Sequence, residues 1–444
     1  MGVRRAVNPY RLVPVGFVLV ICLGAALLSL PAATVPGRDT GFVDALFTAV
    51  SATCVTGLIT VDTASQWTAF GKVVILALIQ IGGFGIMTLA TLLVLLVRRR
   101  VGLQATLTTR VEGRTSLGRI RSMPARIAAT MLMIELVLAT VLSIRFKIAY
   151  DDGWGSAVWH GVFHAISAFN NAGFALYSNN VMGFVTDWWI IIPLCVGVVA
   201  GGMGFPVFFE LAGRRFLRPR DWSVHARLTV WGTVLLLVLG FVAFAMVEWR
   251  NHLTIGELDP AGKVLASIAG SVFPRTAGFN SIDYGLVRPE TLGVHYLLMF
   301  IGGGSAGTAG GIKVGTFLLL AFVIVSEVRG EPEVLIGHRR IDAGIQRQAL
   351  TVVLLGVGLV AIGTFIILSR THFGLDVVLF EAISAFGTVG LSANLTPLLP
   401  TSAKIVLMVL MFCGRVGTIT VASAMALSKR RHRFGLPTER PIVG

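Results

Sequence analysis

F-T-A-V-S-A-T-C-V-T-G at 47–57 returns three more times in this 444-residue chain, as F-H-A-I-S-A-F-N-N-A-G at 163–173, I-A-G-S-V-F-P-R-T-A-G at 268–278 and F-E-A-I-S-A-F-G-T-V-G at 380–390. Aligned on Gly57, Gly173, Gly278 and Gly390, three copies carry Phe ten residues upstream (Phe47, Phe163, Phe380). The same three carry Ser-Ala six and five residues upstream (Ser51-Ala52, Ser167-Ala168, Ser384-Ala385), and the third copy diverges most. A unit repeated on this scale sets the architecture before any one helix is assigned.

Around these copies the chain is 55% hydrophobic and only 13% charged, with a mean hydropathy of +0.81. That composition excludes an ordinary soluble domain and indicates a polytopic membrane protein. The net charge of +15 does not indicate nucleic acid, because of where the charges lie. Lys and Arg gather between alternate pairs of apolar runs: Arg4 to Arg11, Arg98 to Arg126, Arg214 to Arg227, Arg329 to Arg347 and Lys429 to Arg433. The other connections hold acids, such as Asp151-Asp152 and Glu257 with Asp259, and Arg145 and Lys147 are a local exception. This is the positive-inside pattern and places both termini in the cytoplasm. Cys22, Cys54, Cys195 and Cys413 form no C-x-x-C pair, so neither a disulfide framework nor a zinc site is expected. The first apolar run, Pro14 to Leu30, lacks an A-x-A cleavage pattern and is kept as a helix.

A spanning helix needs about 20 mainly apolar residues. The expected spans are 12–31, 70–97, 123–144, 188–212, 226–248, 291–327, 348–368 and 403–427. Between each odd and even span lies a shorter apolar segment, 42–52, 156–169, 261–273 and 376–386, too short to cross and suited to a re-entrant half-helix. The fold class is therefore all-α, with four span–half-helix–span repeats around one central pore. The repeats are expected at 1–98, 99–213, 214–330 and 331–444. Asp44 and Asp376 near half-helix starts favour those N-termini, and the opposite ends point partial negative charge toward a central cavity, which favours a cation there.

A cation entering a narrow pore must shed water, and a ring of backbone carbonyls can replace that shell. Glycine permits the dihedrals and close approach that such a ring needs. Non-helical backbone at membrane depth persists only where protein buries it or it lines water. T-C-V-T-G and F-G-T-V-G loosely resemble the T-V-G-Y-G loop of potassium channels. One such pentapeptide means little, but four at equivalent positions carry weight. Simple C-cap glycines in a helix bundle would not account for the upstream Phe and Ser-Ala.

The sixth span, Thr291 to Val328, contains I-G-G-G-S-A-G-T-A-G-G-I-K at 301–313. Glycine costs about 1 kcal/mol per residue in a helix relative to alanine, so a break is expected there. A break of small residues under a pore could gate it, with tight helix packing as the alternative. Gly302, Gly304 and Gly307 match G-x-G-x-x-G, but no strand precedes them and no βαβ unit surrounds them, so no dinucleotide site follows. Arg415 lies mid-span in M-F-C-G-R-V-G, where a charge is costly unless it faces protein or water. Lys313 ends the glycine loop and either braces it or snorkels to the inner surface. Glu135 is also mid-span, with no partner legible. His160 and His164, four apart on one helix face, have no third ligand or paired acid, so neither a metal centre nor an intramembrane enzyme is expected.

V-T-G-L (55–58), F-N-N-A-G-F (169–174), P-R-T-A-G-F-N (274–280) and F-G-T-V-G-L (386–391), with I-Q-I-G-G-F-G (79–85), G-S-A-G-T-A-G-G-I-K (304–313) and G-R-V-G (414–417), resemble the Trk/Ktr/HKT superfamily of potassium transporters. The resemblance spans nearly the whole chain and is strongest to the membrane subunit of bacterial Ktr systems. It implies four non-identical repeats around one pore, a homodimer with a pore in each subunit, and residence in the bacterial cytoplasmic membrane. It further implies potassium moving down its electrochemical gradient, often with sodium stimulation. Gating would come from a cytoplasmic nucleotide-binding regulatory ring of the KtrA type. No covalent cofactor is implied, and nucleotide would act only through that partner.

By the same resemblance the ion-binding filter is Thr53, Cys54, Val55, Thr56 and Gly57; Asn170, Asn171, Ala172 and Gly173; Arg275, Thr276, Ala277 and Gly278; and Gly387, Thr388, Val389 and Gly390. The gate is Gly302, Gly303, Gly304, Ser305, Ala306, Gly307, Thr308, Ala309, Gly310, Gly311 and Lys313, with Arg415 facing the pore. Glycine at 57, where some plant relatives carry serine and favour sodium, implies potassium. Cys54 departs from the hydroxyl or small residue usual there, and the loop is richer in glycine than in many relatives. The competing expectation is a sodium or unselective monovalent-cation transporter on the same fold.

Overall fold

The computed structural model describes residues 9–105, 115–150, 153–212, 219–337 and 339–417. The chain builds one unit four times. The first comprises α1 (Pro9–Leu28), α2 (Phe42–Cys54), the single turn α3 (Thr63–Gln66) and α4 (Ala69–Ala105). The second comprises α5 (Thr115–Ala149), α6 (Trp154–Phe169), α7 (Trp188–Met203) and α8 (Phe205–Leu211). α9 (Val224–Glu248), α10 (Pro260–Val272), α11 (Pro289–Phe300) and α12 (Val314–Val328) form the third, and α13 (Ala343–Leu368), α14 (Leu375–Gly387) and α15 (Thr401–Phe412) the fourth. Each short helix α2, α6, α10 and α14 packs against the long helix before it. Two-residue strands β1 (Leu335–Ile336) and β2 (Arg339–Arg340) pair antiparallel between the third and fourth units.

Three of the four half-helices, α2, α10 and α14, carry helix-entry chemistry at their starts. Asp44 and Asp376 lie in the first turns of α2 and α14, and the Asp259 carboxylate accepts the Gly262 N–H at the start of α10 (3.0 Å). The Asp259 cap satisfies an orphan N–H, and the first-turn acids Asp44 and Asp376 suit the positive end of the dipole. The Phe repeated in three of the units is fully buried at 47, 163 and 380. Phe47 and Phe380 join the largest hydrophobic cluster, together with Leu407 and Met411 of α15.

Among the described residues, four helices are individually long and apolar enough to cross a membrane: Ala69–Thr88 within α4, Met123–Ala149 within α5, α9 and α13. Large apolar side chains stand exposed along them, among them Leu136, Met246 and Phe365, as expected of a surface whose solvent is lipid. Two expected spans are not continuous. The fourth bends by 97° between α7 and α8 at Gly204, whose φ of +87° suits glycine. The sixth splits into α11 and α12 around 301–313, where the glycine count indicated a break. The first is apolar over Pro14–Leu28. The eighth passes from α15 into a π-helical turn at Cys413–Gly417. Its expected continuation to 427 lies outside the described residues, as do Arg4, the start of the 214–227 basic segment and the segment Lys429 to Arg433.

Candidate functional site

The four repeated glycines form a closed ring. A Cβ placed on Gly57 would meet the carbonyl oxygen of Ala172; on Gly173, that of Ala277 (2.6 Å); on Gly278, that of Val389; and on Gly390, that of Thr56. Each segment thus touches the next in chain order, and the fourth closes on the first. The backbone repeats as faithfully. Two residues before each glycine sits a non-glycine residue in the left-handed region: Val55 (φ 57°), Asn171 (φ 60°), Thr276 (φ 70°) and Thr388 (φ 48°). The glycines follow with φ of 96°, 67°, 67° and 97°. For Val and Thr this conformation is disfavoured by about 1–2 kcal/mol per residue. Such strain persists only where the surroundings over-determine it.

The upstream serines help supply that determination. Ser51 Oγ accepts the Gly57 N–H (3.0 Å) and Ser384 Oγ accepts the Gly390 N–H (3.1 Å). Ser167 instead donates to the Phe174 carbonyl just past Gly173 (2.7 Å). The third copy has Val272 in place of serine, and there the Gly278 N–H turns to the Phe273 carbonyl (3.3 Å). The sequence divergence of this copy corresponds to a change of partner within the same backbone course.

Behind the ring, glycines let the following helices come close. A side chain on Gly82, Gly201 or Gly414 would collide with the carbonyl oxygens of Thr53, Phe169 and Phe386 at the ends of α2, α6 and α14. Arg415 follows Gly414 where Gly83 and Gly202 follow Gly82 and Gly201. One of these three pairs has thus become glycine-arginine, a departure visible in the sequence once the pairs are aligned.

The loop 301–313 lies against the half-helix ends. Its neck closes through Gly302 N–H to Ile312 O (2.8 Å) and Ile312 N–H to Phe300 O (3.3 Å). Its tip, with Ala306 at φ 61°, accepts the Phe205 N–H at the bend between α7 and α8 (3.4 Å). Thr308 is the central contact. Its N–H reaches Gly201 O (3.0 Å), and its hydroxyl reaches Asn171 Oδ1 (3.0 Å) and Phe169 O (3.2 Å). Its carbonyl accepts a hydrogen bond from Arg415 Nη1. A side chain on Gly310 would strike the Thr388 hydroxyl. Gly302, Gly303, Gly304, Gly307 and Gly311 are buried with it, while Ser305 is half-buried.

Two cations named from the sequence hold this loop. Lys313 folds back onto the carbonyls of Ala309 and Gly310 rather than reaching outward. Arg415 is buried, and its second nitrogen points to Gly82 O (3.5 Å). Arg275, expected with the filter, sends its guanidinium to Gly302 O (3.0 Å) and Thr233 O (3.4 Å), so its side chain serves the loop neck. Asn170 likewise turns away from the ring. Its amide donates to Gln80 Oε1 (2.9 Å) and Glu135 Oε1 (3.1 Å), and Gln80 donates to Glu135 Oε2 (2.9 Å). That network supplies the partner of Glu135 that sequence reasoning lacked. Cys54 is buried in the largest hydrophobic cluster. His160 and His164 belong to an aromatic group with Tyr177, Phe146 and Phe184. Among the described residues no group of three His, Cys, Asp or Glu could hold a metal.

On the other side of the ring lies a cavity of about 270 Å³, lined by Gly57, Gly173 and Gly390 with Asp62, Asn180 and Asn280 among others. Asp62 is its carboxylate. Partial burial opposes its charge, yet hydrogen bonds from Ser178, Ser65 and the Ala64 N–H, with the Arg38 cation nearby, together outweigh burial and hold it below its ordinary value.

A four-fold helical membrane protein with one ring of backbone glycines on its axis and a braced loop against the half-helices is the class these features define. Residues 17–431 match the TrkH family, described as "Cation transport protein", and the chain belongs to that family. It is 40% identical over 425 residues to "Ktr system potassium uptake protein B" of Bacillus subtilis (strain 168), covering 95% of this chain and 94% of the relative. It is 34% identical over 451 residues to "Potassium/sodium uptake protein NtpJ" of Enterococcus hirae, covering 100% and 98%. The crystal structure of the potassium transporter TrkH from Vibrio parahaemolyticus superposes with a TM-score of 0.70 at 17% identity, covering 96% of this chain and 86% of that one. The four-repeat fold expected from the sequence is borne out.

Proposed function

We propose that this chain is the ion-translocating subunit of a Ktr-type potassium uptake system in the bacterial cytoplasmic membrane. The observation that carries the reading is the closed ring of Gly57, Gly173, Gly278 and Gly390, each preceded by a left-handed residue at the same offset. A left-handed residue followed two positions later by a positive-φ glycine turns carbonyl oxygens toward a common axis, where they can replace an ion's water. The half-helix C-termini lend partial negative charge to the inner side of that axis. The identity to a relative named for potassium uptake supports potassium as the ion.

In this reading Thr53, Thr56 and the segments named above form the filter, and 302–313 is the gate. Arg415 and Lys313 lock the loop by binding its carbonyls, so conduction requires those bonds to exchange for others. The repeats divide at 98, 213 and 330, both termini face the cytoplasm, and the protein works as a homodimer beside a nucleotide-binding regulatory ring. A second reading, a sodium or unselective monovalent-cation transporter on the same fold, draws on the potassium/sodium name of the relative from Enterococcus hirae.

Expression in cells that lack their own potassium uptake tests the proposal. Growth rescue at low external potassium, lost when potassium is plentiful for all strains alike, is the expected result. No rescue with the protein verified in the membrane, combined with sodium flux, would move the assignment to the second reading.

A further inference from the structure

The ring is closed but not uniform. We propose that Asn180 is a positioning residue for ion discrimination, pinning the Gly173 carbonyl and stitching the second ring segment to the third. This rests on the pore reading above and deepens it.

Asn180 Nδ2 donates to Gly173 O (3.2 Å). Its Oδ1 accepts the backbone N–H of Asn280 (3.2 Å), two residues beyond Gly278, and the Asn280 carbonyl accepts the Val181 N–H (3.2 Å). One side-chain amide therefore bridges two neighbouring segments across their closest seam. At that seam a Cβ on Gly173 would stand 2.8 Å from the Gly278 Cα. Among the described residues no side chain donates to the carbonyls of Gly57, Gly278 or Gly390.

Asn180 is itself held firmly. It closes a turn through its N–H to Tyr177 O (3.0 Å), with φ of 55°, a conformation Asn tolerates better than most residues. Tyr177 is clamped by ring contacts with His164 (5.5 Å) and Phe184 (4.9 Å). Ser178, in the same turn, donates to Asp62 of the first unit (2.6 Å). The amide thus comes from a turn fixed on both sides, as precise positioning requires.

The chemical consequence is an uneven ring. A carbonyl oxygen has two lone pairs, and the Gly173 oxygen already commits one to an N–H. Its position is fixed and its pull on a cation is weaker than that of its three neighbours. A smaller ion needs the oxygens to close in, and a pinned oxygen resists that movement. Asn180 therefore works against sodium through Gly173, without touching the ion.

The test compares wild type with Asn180→Gly and Asn180→Asp in initial rubidium and sodium uptake, with membrane abundance measured for each. Gly accepts the positive φ but has no amide. Asp keeps the shape and the bond from Asn280 but cannot donate to Gly173. Both variants are expected to raise sodium uptake relative to rubidium by about threefold to tenfold, the worth of one hydrogen bond, at unchanged abundance. An unchanged ratio in either folded variant overturns the role of Asn180 while leaving the pore reading intact. Should Asn180→Gly fail to reach the membrane, Asn180→Asp decides alone, and absence of both from the membrane overturns a role in ion discrimination in favour of a structural one. No cation flux in wild type would remove the pore reading, and this proposal with it.

Discussion

A single methyl at Gly57 would run into the Ala172 carbonyl oxygen, and the same collision recurs at each step around the ring. Gly57→Ser is therefore expected to displace one carbonyl and cut the preference for potassium over sodium by about tenfold, equivalent to about 1.4 kcal/mol. Competition between the two ions for rubidium uptake measures it, and an unaltered ratio would remove Gly57 from the filter. Arg415 poses the complementary question. Its guanidinium is buried and bonded to the Thr308 carbonyl, and a hydrogen bond to a charged group contributes about 1.5–3 kcal/mol. Arg415→Ala should loosen the loop and raise uptake in the absence of any regulatory partner, with the protein still folded. Wild-type uptake kinetics in a folded variant would leave Arg415 a structural role alone.

The elements were legible to different degrees. Half-helices could be read directly, because an apolar run too short to cross and ended by a repeated glycine has few other solutions. The serine and phenylalanine repeated in three of the four copies stand out for a reason the fold makes plain: the serines bind the backbone at the ring and the phenylalanines are fully buried. The bend at Gly204 escaped because α7 and α8 are both apolar and their combined length matches one span. What breaks them is the tip of loop 301–313 docking at residue 205, a contact far away in sequence. The filter implied by the resemblance includes Asn170 and Arg275, yet their side chains serve Glu135 and the loop neck, a choice of rotamer that no spacing encodes. For the loop itself, deletion of 303–310 is expected to leave uptake high with no partner present. Persistent dependence on the partner would show that the gate lies elsewhere.

At the scale of the molecule, four units that hold their ring segments by different contacts still return the same backbone at one place. The first and fourth use a serine hydroxyl on the glycine amide, the second turns its serine to a carbonyl, and the third does without serine. Convergence of unlike contacts on one conformation, at about 1–2 kcal/mol of backbone strain per left-handed residue, indicates that the ring geometry is what the fold is built to hold. The family and the relatives agree with that geometry in class, and the ion is the remaining chemical claim. The most direct test is rubidium uptake into liposomes containing only the purified chain, competed with potassium and with sodium at equal concentration. The account predicts saturable uptake that potassium suppresses far more strongly than sodium does. Equal suppression by the two ions, or no uptake by protein shown to be folded and inserted, would contradict it.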